Sequence, residues 1–343
     1  MVTIGTPLLW SAFAAFVVVA LLIDFLALNR QGQHKVTMRE AAIWSAIWVA
    51  VSFVFVGLLW WGLGGMGDDP AARALANDKA LEFVTGYLVE KALAVDNIFV
   101  FLMLFTYFAV PAELQKRVLM IGILAALVLR AILILVGAWL IAEFHWIMYV
   151  FGAFLVFTGI KMWWAAGQEP DLETNPALQW VRKRFTISPD YDGERFFTKI
   201  DGKKVATPML LVVLLIGIVD VVFAVDSIPA IFAITLDPFI VLTSNVFAIL
   251  GLRALYFLLA GMHERFHLLP YGLALVLVFI GTKMLLIDLY KIPVAWSLAG
   301  TVTILAVTMI LSYVIPGKPD EKAGGAYPFG GKREGKRPHD KAH

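Results

Sequence analysis

The chain has 343 residues, of which 60% are hydrophobic and only 16% are charged, and its formal net charge at pH 7 is +2. A soluble domain carries roughly 25% charged residues, so this composition argues against a soluble domain and indicates a protein that crosses a membrane several times. Cysteine is absent, which excludes disulfides, thiolate metal sites and thiol redox chemistry.

Apolar stretches recur along the chain, and each is long enough to cross a hydrocarbon core about 30 Å thick. They predict nine transmembrane helices, near residues 8–28, 41–63, 82–107, 116–142, 146–165, 208–235, 239–262, 269–288 and 294–315. Runs of this length that do not alternate are typical of helices rather than of barrel strands. The first stretch lacks the basic start of a cleavable signal peptide, so we interpret it as the first transmembrane helix.

Lysine and arginine residues are unevenly distributed over the loops between these spans. One set of alternating loops and the C-terminal tail hold most of them, whereas the other set holds only Arg73, Lys79 and Lys291. The positive-inside rule therefore predicts that the N-terminus lies outside and the C-terminus lies in the cytoplasm.

Two copies of an acidic motif lie in the middle of apolar spans. Glu90 and Asp96 are separated by five residues, and Asp220 and Asp226 have the same spacing. A carboxylate at membrane depth costs a few kcal/mol on insertion scales, so acids at such positions are expected to be functional. Four carboxylates in two equally spaced pairs indicate a cation site.

The acidic motif belongs to a longer internal repeat. Residues 129–131 (Leu-Arg-Ala) recur as residues 252–254, and residues 156–162 recur in closely similar form as residues 278–284. Each copy holds three spans, so the second copy has to cross the membrane in the opposite sense. This predicts an inverted repeat of the kind found in secondary transporters, with a substrate site near the midplane.

The resulting fold class is an all-α membrane protein of about nine transmembrane helices with two inverted three-helix repeats. Its predicted segments are two N-terminal transmembrane helices with an external loop (1–80), repeat 1 (81–165), a cytoplasmic connector (166–206), repeat 2 (207–290), a last transmembrane helix (291–315) and a disordered cytoplasmic tail (316–343). Within the connector, residues 176–185 predict a short basic helix and residues 196–205 a small hairpin. Acids and bases balance in the connector, which argues against a nucleic-acid partner.

The spacing of the acids limits how they can bind one ion. On a continuous helix the two acids of a motif lie about 9 Å apart in rise and about 120° apart around the axis, whereas oxygen ligands bind a metal at roughly 2–2.6 Å. Either the helix is broken within the motif or the acids pair across the repeats. Pro229 predicts such a break beside Asp226. We favour a shared site in which Asp96 and Asp226 meet, while Glu90 and Asp220 complete it or form flanking steps.

Other polar residues extend this predicted metal site. Asn97 and Ser227 occupy equivalent places in the two motifs and would supply neutral oxygen ligands. Asp24, near the cytoplasmic end of the first span, is either a member of the site or an interfacial acid. Oxygen ligands select hard ions, namely Mg²⁺, Ca²⁺ or Mn²⁺, and the sequence does not separate these three.

Several polar residues inside the spans have predicted structural roles. Arg130 and Arg253 are expected to be counter-ions of the acids, and Lys161 and Lys283 to be interfacial anchors. Asn245 is expected to form a hydrogen bond between helices. No catalytic residue and no cofactor are predicted.

The segments that carry these residues resemble the TerC/Alx family of integral membrane proteins. The resemblance rests on residues 90–100, 220–233 and 237–253 and extends over roughly residues 5–315. It implies a bacterial inner-membrane protein related to manganese efflux, within a superfamily of small-solute exporters. The resemblance also implies two older functional labels, tellurite resistance and redox modulation. Carried over to this chain, the four motif acids would line the metal path.

Together these observations predict a Mn²⁺ exporter that works by alternating access and is not an enzyme. The sequence leaves open whether export is coupled to protons. Its expected partners are a divalent metal ion and the lipid bilayer, and a homo-oligomer remains open. One alternative is a stress-response or redox-modulator membrane protein, which the lack of cysteine disfavours. Another is export of a different ion, either Ca²⁺ or an oxyanion handled by Arg130 and Arg253, although four acids disfavour an anion.

Overall fold

A computed structural model of the chain describes residues 3–31, 37–144, 146–165, 176–184, 186–200, 202–260, 267–290 and 292–315. In these ranges the helices are α1 (Pro7–Gln31), α2 (Met38–Gly62), α3 (Pro70–Tyr107), α4 (Ala112–Glu143), α5 (Ile147–Ala165), α6 (Pro176–Arg184), α7 (Pro208–Phe232), α8 (Pro238–Leu250), α9 (Leu252–Ala260), α10 (Leu269–Leu285) and α11 (Val294–Val314). Strands β1 (Phe197–Ile200) and β2 (Lys203–Ala206) pair in antiparallel fashion. The predicted tail, 316–343, lies outside the described residues.

Five of the described helices are long and apolar enough to cross a membrane, namely α2, α4, α5, α7 and α11. The bent pair α8 and α9 would make six if it forms one span. A multi-pass membrane protein of the all-α class, with one small hairpin in the connector, is thereby confirmed. Nine spans remain a prediction, because α10 and the apolar part of α1 (Pro7–Ile23) are short and the second half of α3 carries Glu90, Lys91 and Asp96.

Several helices begin where the sequence places a cap. The Thr37 side chain accepts a hydrogen bond from Glu40 N at the start of α2, and Asp69 accepts one from Ala71 N at the start of α3. Proline follows Asp69 directly, at a helix position where its missing N–H costs nothing. These signals start α3 at residue 70, well before the apolar span predicted from residue 82.

The helices of the two predicted repeats pack against each other. Helix α3 packs on α8, α4 packs on α7, and α5 packs most extensively on α10. An aromatic cluster of Phe13, Phe55, Phe83 and Phe247 joins α1, α2, α3 and α8. Large apolar side chains on α1, α2, α4 and α11 are exposed, as expected for surfaces that face lipid.

Glycines allow α5 and α10 to approach to backbone contact. A Cβ atom added at Gly281 would lie 2.8 Å from the carbonyl oxygen of Gly152, and one added at Gly159 would lie 2.8 Å from that of Ala274. Small residues at such crossings let helices associate closely in a membrane, where van der Waals packing replaces the hydrophobic effect. We call this contact the α5–α10 seam.

The predicted break at Pro229 is wrong, because α7 continues through this residue to Phe232. Pro229 lies in the last turn of α7, where loss of one backbone hydrogen bond removes little of the helix. The break lies at Gly251, where α8 and α9 meet at an angle of 43°. Since α3 and α7 are continuous through both motifs, the acids of one motif cannot close on a single ion.

The connector folds as the sequence predicts over its described residues. Helix α6 and the β1–β2 hairpin form, and Gly202 adopts a φ of +76° in the turn. The Tyr191 hydroxyl donates a hydrogen bond to Phe108 O at 2.9 Å, at the end of α3. Burial raises the pKa of Tyr191, so its hydroxyl remains a donor over the physiological pH range. The connector is therefore docked on the helices rather than only solvated.

The α5–α10 seam predicts opposite effects for the same substitution at two glycines. Gly281→Ala should destabilise the protein by about 1–3 kcal/mol, because the added Cβ overlaps the Gly152 backbone. Gly217→Ala in α7 meets no atom within 4 Å and should be neutral or stabilising. Thermal unfolding in detergent would measure both, and equal midpoints for the two variants would contradict this description of the seam.

Candidate functional site

The centre of the site is an ion-pair triad of two carboxylates and one guanidinium. Glu90 on α3 and Asp220 on α7 both contact Arg130 on α4. Arg130 Nη2 lies 3.3 Å from Asp220 Oδ1, and Arg130 Nη1 contacts Glu90 Oε1 and donates to Ser227 Oγ at 3.3 Å. The three charged residues are 1–3% exposed. The equivalent first acids of the two motifs therefore meet through Arg130, which confirms its predicted role as a counter-ion.

The triad does not satisfy all of its own polar atoms. Within the described part of the chain, Glu90 Oε2, Asp220 Oδ2 and Arg130 Nε are buried without a hydrogen-bond partner. Buried polar atoms normally have a partner in the protein or an ordered water, so each of these needs an explanation. One guanidinium can balance only one of two ionised carboxylates. The triad is therefore suited to bind a further cation or a proton.

Asp226 is placed apart from this triad, towards α5. Its carboxylate accepts a hydrogen bond from Thr158 Oγ1 at 3.4 Å and is half-buried. Lys161, one turn further along α5, lies close enough to act electrostatically on it. Lys161 was expected to be only an interfacial anchor, and nothing in the local sequence marked Thr158 as a partner of the acid.

Of the other four predicted ligands, the structure describes the side chains of two. Asn97 is buried in α3, at 3% exposure, and Ser227 is buried against Arg130. Asp24 belongs to α1 and Asp96 to α3, but their side chains lie outside what the structure describes. The predicted meeting of Asp96 with Asp226 therefore stays a prediction. Among the described residues, no three His, Asp or Glu side chains form a ready metal cage.

Lys91, beside the first motif acid, stabilises the end of α8. Its Nζ donates to Ala248 O at 3.2 Å, in the last turn before the break at Gly251. A cation at this position satisfies an unpaired carbonyl and interacts favourably with the helix dipole. Gly251 makes room for it, since an added Cβ there would lie 2.7 Å from Lys91 Nζ.

The expectation for Asn245 is wrong. This residue of α8 is fully buried, and neither its amide oxygen nor its amide nitrogen has a hydrogen-bond partner among the described residues. An unpaired amide in a bundle interior costs roughly 1–3 kcal/mol. A water or an ion taken up at this depth would remove that cost.

A second polar cluster, which we call the Asp237 clasp, ties one end of the bundle together. Its members are Thr3, Lys79, Glu82, Thr235 and Asp237. Asp237 accepts hydrogen bonds from Thr3 Oγ1 at 2.7 Å and from Ile4 N at 3.0 Å, and it lies 3.5 Å from Lys79 Nζ. Glu82 Oε2 lies 2.8 Å from Lys79 Nζ and accepts from Thr235 Oγ1 at 2.6 Å. The clasp joins the N-terminal segment, the start of α3 and the α7–α8 loop.

Comparison with known proteins places this bundle in a family. The sequence model of the integral membrane protein TerC family matches residues 75–319, which include both motifs and Arg130. The chain belongs to the TerC family. This membership confirms the resemblance inferred from the two motifs, and no solved structure matches the chain.

Relatives of this TerC-family protein match over almost their whole length. The chain is 53% identical over 323 residues to a protein of Escherichia coli strain K12 named as the membrane-bound redox modulator Alx, covering 94% of this chain and 99% of the relative. It is 46% identical to an uncharacterized membrane protein of Myxococcus xanthus, with 91% and 94% covered. An uncharacterized membrane protein of Rickettsia bellii is 34% identical, with 89% and 97% covered.

The triad predicts a large loss of stability when the guanidinium of Arg130, which the two carboxylates share, is removed. Arg130→Gln leaves two buried carboxylates without a counter-charge, which should cost about 3–5 kcal/mol of unfolding free energy. The matched control is Arg195→Gln, because Arg195 pairs with Asp192 in an exposed ion pair and should change stability by under about 1 kcal/mol. Unfolding in mixed detergent micelles would measure both.

Adding Glu90→Gln to Arg130→Gln should recover part of this loss, because it removes one of the two uncompensated charges. A stability of Arg130→Gln equal to that of Arg195→Gln would show that the triad is not an energetic centre of the bundle.

Proposed function

We propose that this TerC-family protein is a divalent cation transporter of the bacterial inner membrane and that it exports Mn²⁺ by alternating access. The observation that carries the proposal is that the triad has more negative groups than positive ones. Two buried carboxylates share one guanidinium, and each keeps an oxygen without a partner among the described residues. Such a site attracts positive charge at membrane depth.

The proposed path runs between the triad and Asp226. Glu90 and Asp220 supply hard oxygen ligands at the centre, and Ser227 supplies a neutral oxygen beside Arg130. Asp226, one and a half turns further along α7, offers the next carboxylate towards the end of that helix. Asp96, Asn97 and Asp24 remain proposed members of the same path.

An inverted repeat is supported by how equivalent residues pack. Gly152 and Ala274 have matching places in the two copies, as do Gly159 and Gly281. In the α5–α10 seam Gly152 meets Gly281, while Gly159 meets Ala274, so each contact is the counterpart of the other. The pairs α3–α8 and α4–α7 correspond in the same way. This pattern is expected when a pseudo-twofold axis relates two copies of three helices.

Alternating access requires that one end of the path closes while the other opens. The Asp237 clasp holds α3 to the α7–α8 loop. If the N-terminus lies outside, as the positive-inside rule predicts, the clasp is at the outer end of the path. We propose that rupture of this clasp accompanies release of the ion. Exchange of Mn²⁺ for protons at the carboxylates would return the protein to its starting state.

A second candidate is a role in redox or stress response without transport, which the name of the Escherichia coli relative favours. This chain contains no cysteine, so such a role would require a bound redox group. The visible absorption spectrum of the purified protein would separate the candidates, because a haem, flavin or quinone that changes with reductant supports the redox role.

The central test is Mn²⁺ flux into proteoliposomes. Asp226→Asn should reduce Mn²⁺ flux to the level of empty liposomes while the protein still inserts, because the neutral amide removes the charge that favours the ion. The matched control is Asp190→Asn, since Asp190 is an exposed acid of the connector. It should transport at the wild-type rate.

Competing Ca²⁺ and Mg²⁺ would define selectivity in the same assay, and an imposed pH gradient would test proton coupling. Normal Mn²⁺ flux through Asp226→Asn would remove the role proposed for this carboxylate. No metal flux through the wild-type protein under any gradient would overturn the transport proposal as a whole.

A further inference from the structure

A cleft lies at the end of the bundle where α2 and α4 begin, away from the triad. It is a shallow cleft formed by side chains of α2, α4 and α9, and it is partly open to the surroundings. Its polar residues are Glu40, Lys116 and Arg253, and its apolar wall includes Trp44 and Phe257. Arg253 has the same place in repeat 2 that Arg130 has in repeat 1. Arg130 belongs to the triad, whereas Arg253 lines this cleft.

Lys116 is the unusual residue of this cleft. It is 5% exposed, and its Nζ has no hydrogen-bond partner among the residues that the structure describes. A buried ammonium with none of its three donors used is costly, so a lysine at such a place normally has an anion or water beside it. The side chain lines the cleft and can therefore reach a ligand that enters it.

The charges around Lys116 favour an anion. Glu40 attracts its ammonium and Arg253 repels it, and all three groups line the cleft. The described lining residues carry one net positive charge when these three groups are ionised.

The position of the cleft matches the headgroup region of a bilayer. It lies at the first turns of α2 and α4, and Ile43 and Ile47 on α2 nearby are about half exposed, as expected for side chains in contact with lipid tails. Trp44 is partly exposed at the cleft, where an indole ring suits the membrane interface. Basic pockets between transmembrane helices on the cytoplasmic side are typical binding sites of anionic headgroups.

We propose that this cleft binds a phosphate group of an anionic phospholipid or of a free phosphate ion, with Lys116 as the donor that the protein leaves unpaired. Arg253 adds a second positive charge, and Trp44 packs beside the ligand. Bound phosphate would hold α9 to the starts of α2 and α4. Placement of the cleft on the cytoplasmic face rests on the proposed topology, whereas binding itself does not depend on metal transport.

The test measures ligand-induced stabilisation of the full chain in a zwitterionic detergent. Short-chain phosphatidylglycerol, short-chain phosphatidylcholine or inorganic phosphate is titrated while the thermal unfolding midpoint is recorded. Lys116→Gln should weaken binding roughly tenfold or more, because one charge-assisted hydrogen bond is lost. Arg253→Gln should also weaken it, and Lys116→Arg should retain it because the positive charge remains.

Arg117→Gln is the matched control, since Arg117 is the next residue of α4 but is exposed and pairs with Glu194. It should bind as the wild type does. Stabilisation by phosphatidylglycerol alone, lost in Lys116→Gln, identifies a lipid site, and stabilisation by phosphate with the same dependence identifies a free-ion site. Equal stabilisation of wild type and Lys116→Gln by every ligand, or no stabilisation of the wild type by any, overturns the proposal. If Lys116→Gln does not fold, Arg253→Gln decides between the same outcomes.

Discussion

Burial of two carboxylates around a single guanidinium is the constraint on which the rest of the bundle depends. Glu90, Asp220 and Arg130 come from three different helices, so the triad fixes how α3, α4 and α7 meet at membrane depth. Removing charges from water costs several kcal/mol per ion, and mutual attraction repays this only when the geometry is good and every group has a partner. Here one guanidinium serves two carboxylates, so the described residues of the triad supply no second counter-charge. In the proposed function, this excess negative charge attracts the transported cation.

The surrounding helices hold this centre between two contacts of different kinds. On one side the α5–α10 seam brings backbone against backbone, so these two helices cannot approach further or slide past each other without disturbing the glycines. At one end the Asp237 clasp joins the chain's first described residues to a loop more than 200 positions later. The clasp is held by hydrogen bonds and ion pairs, whereas the seam is held by close packing of backbone atoms. The proposed opening of the clasp would therefore leave the seam in place.

The sequence predicted the features that depend on local patterns. Apolar runs gave the helices, a basic stretch gave α6, and the turn at Gly202 gave the hairpin, because each signal lies within a few residues. The helix break predicted at Pro229 was wrong, because this residue lies in the last turn of α7. The break lies instead at Gly251, which ends α8 and where a side chain would collide with Lys91 Nζ. Arg130 was identified as a counter-ion from charge balance. The hydrogen bond from Thr158 to Asp226 and the Asp237 clasp could not be foreseen, because they join residues far apart in sequence.

The contact of Lys91 with the end of α8 has a mechanical consequence. Lys91 directly follows Glu90, so rotation of α3 that reorients the acid also withdraws the ammonium from Ala248 O. The carboxyl end of α8 then loses its neighbouring positive charge just where the chain turns at Gly251. If the proposed ion binds at Glu90 and rotates α3, the angle between α8 and α9 would respond through Lys91, the adjacent side chain on the same helix.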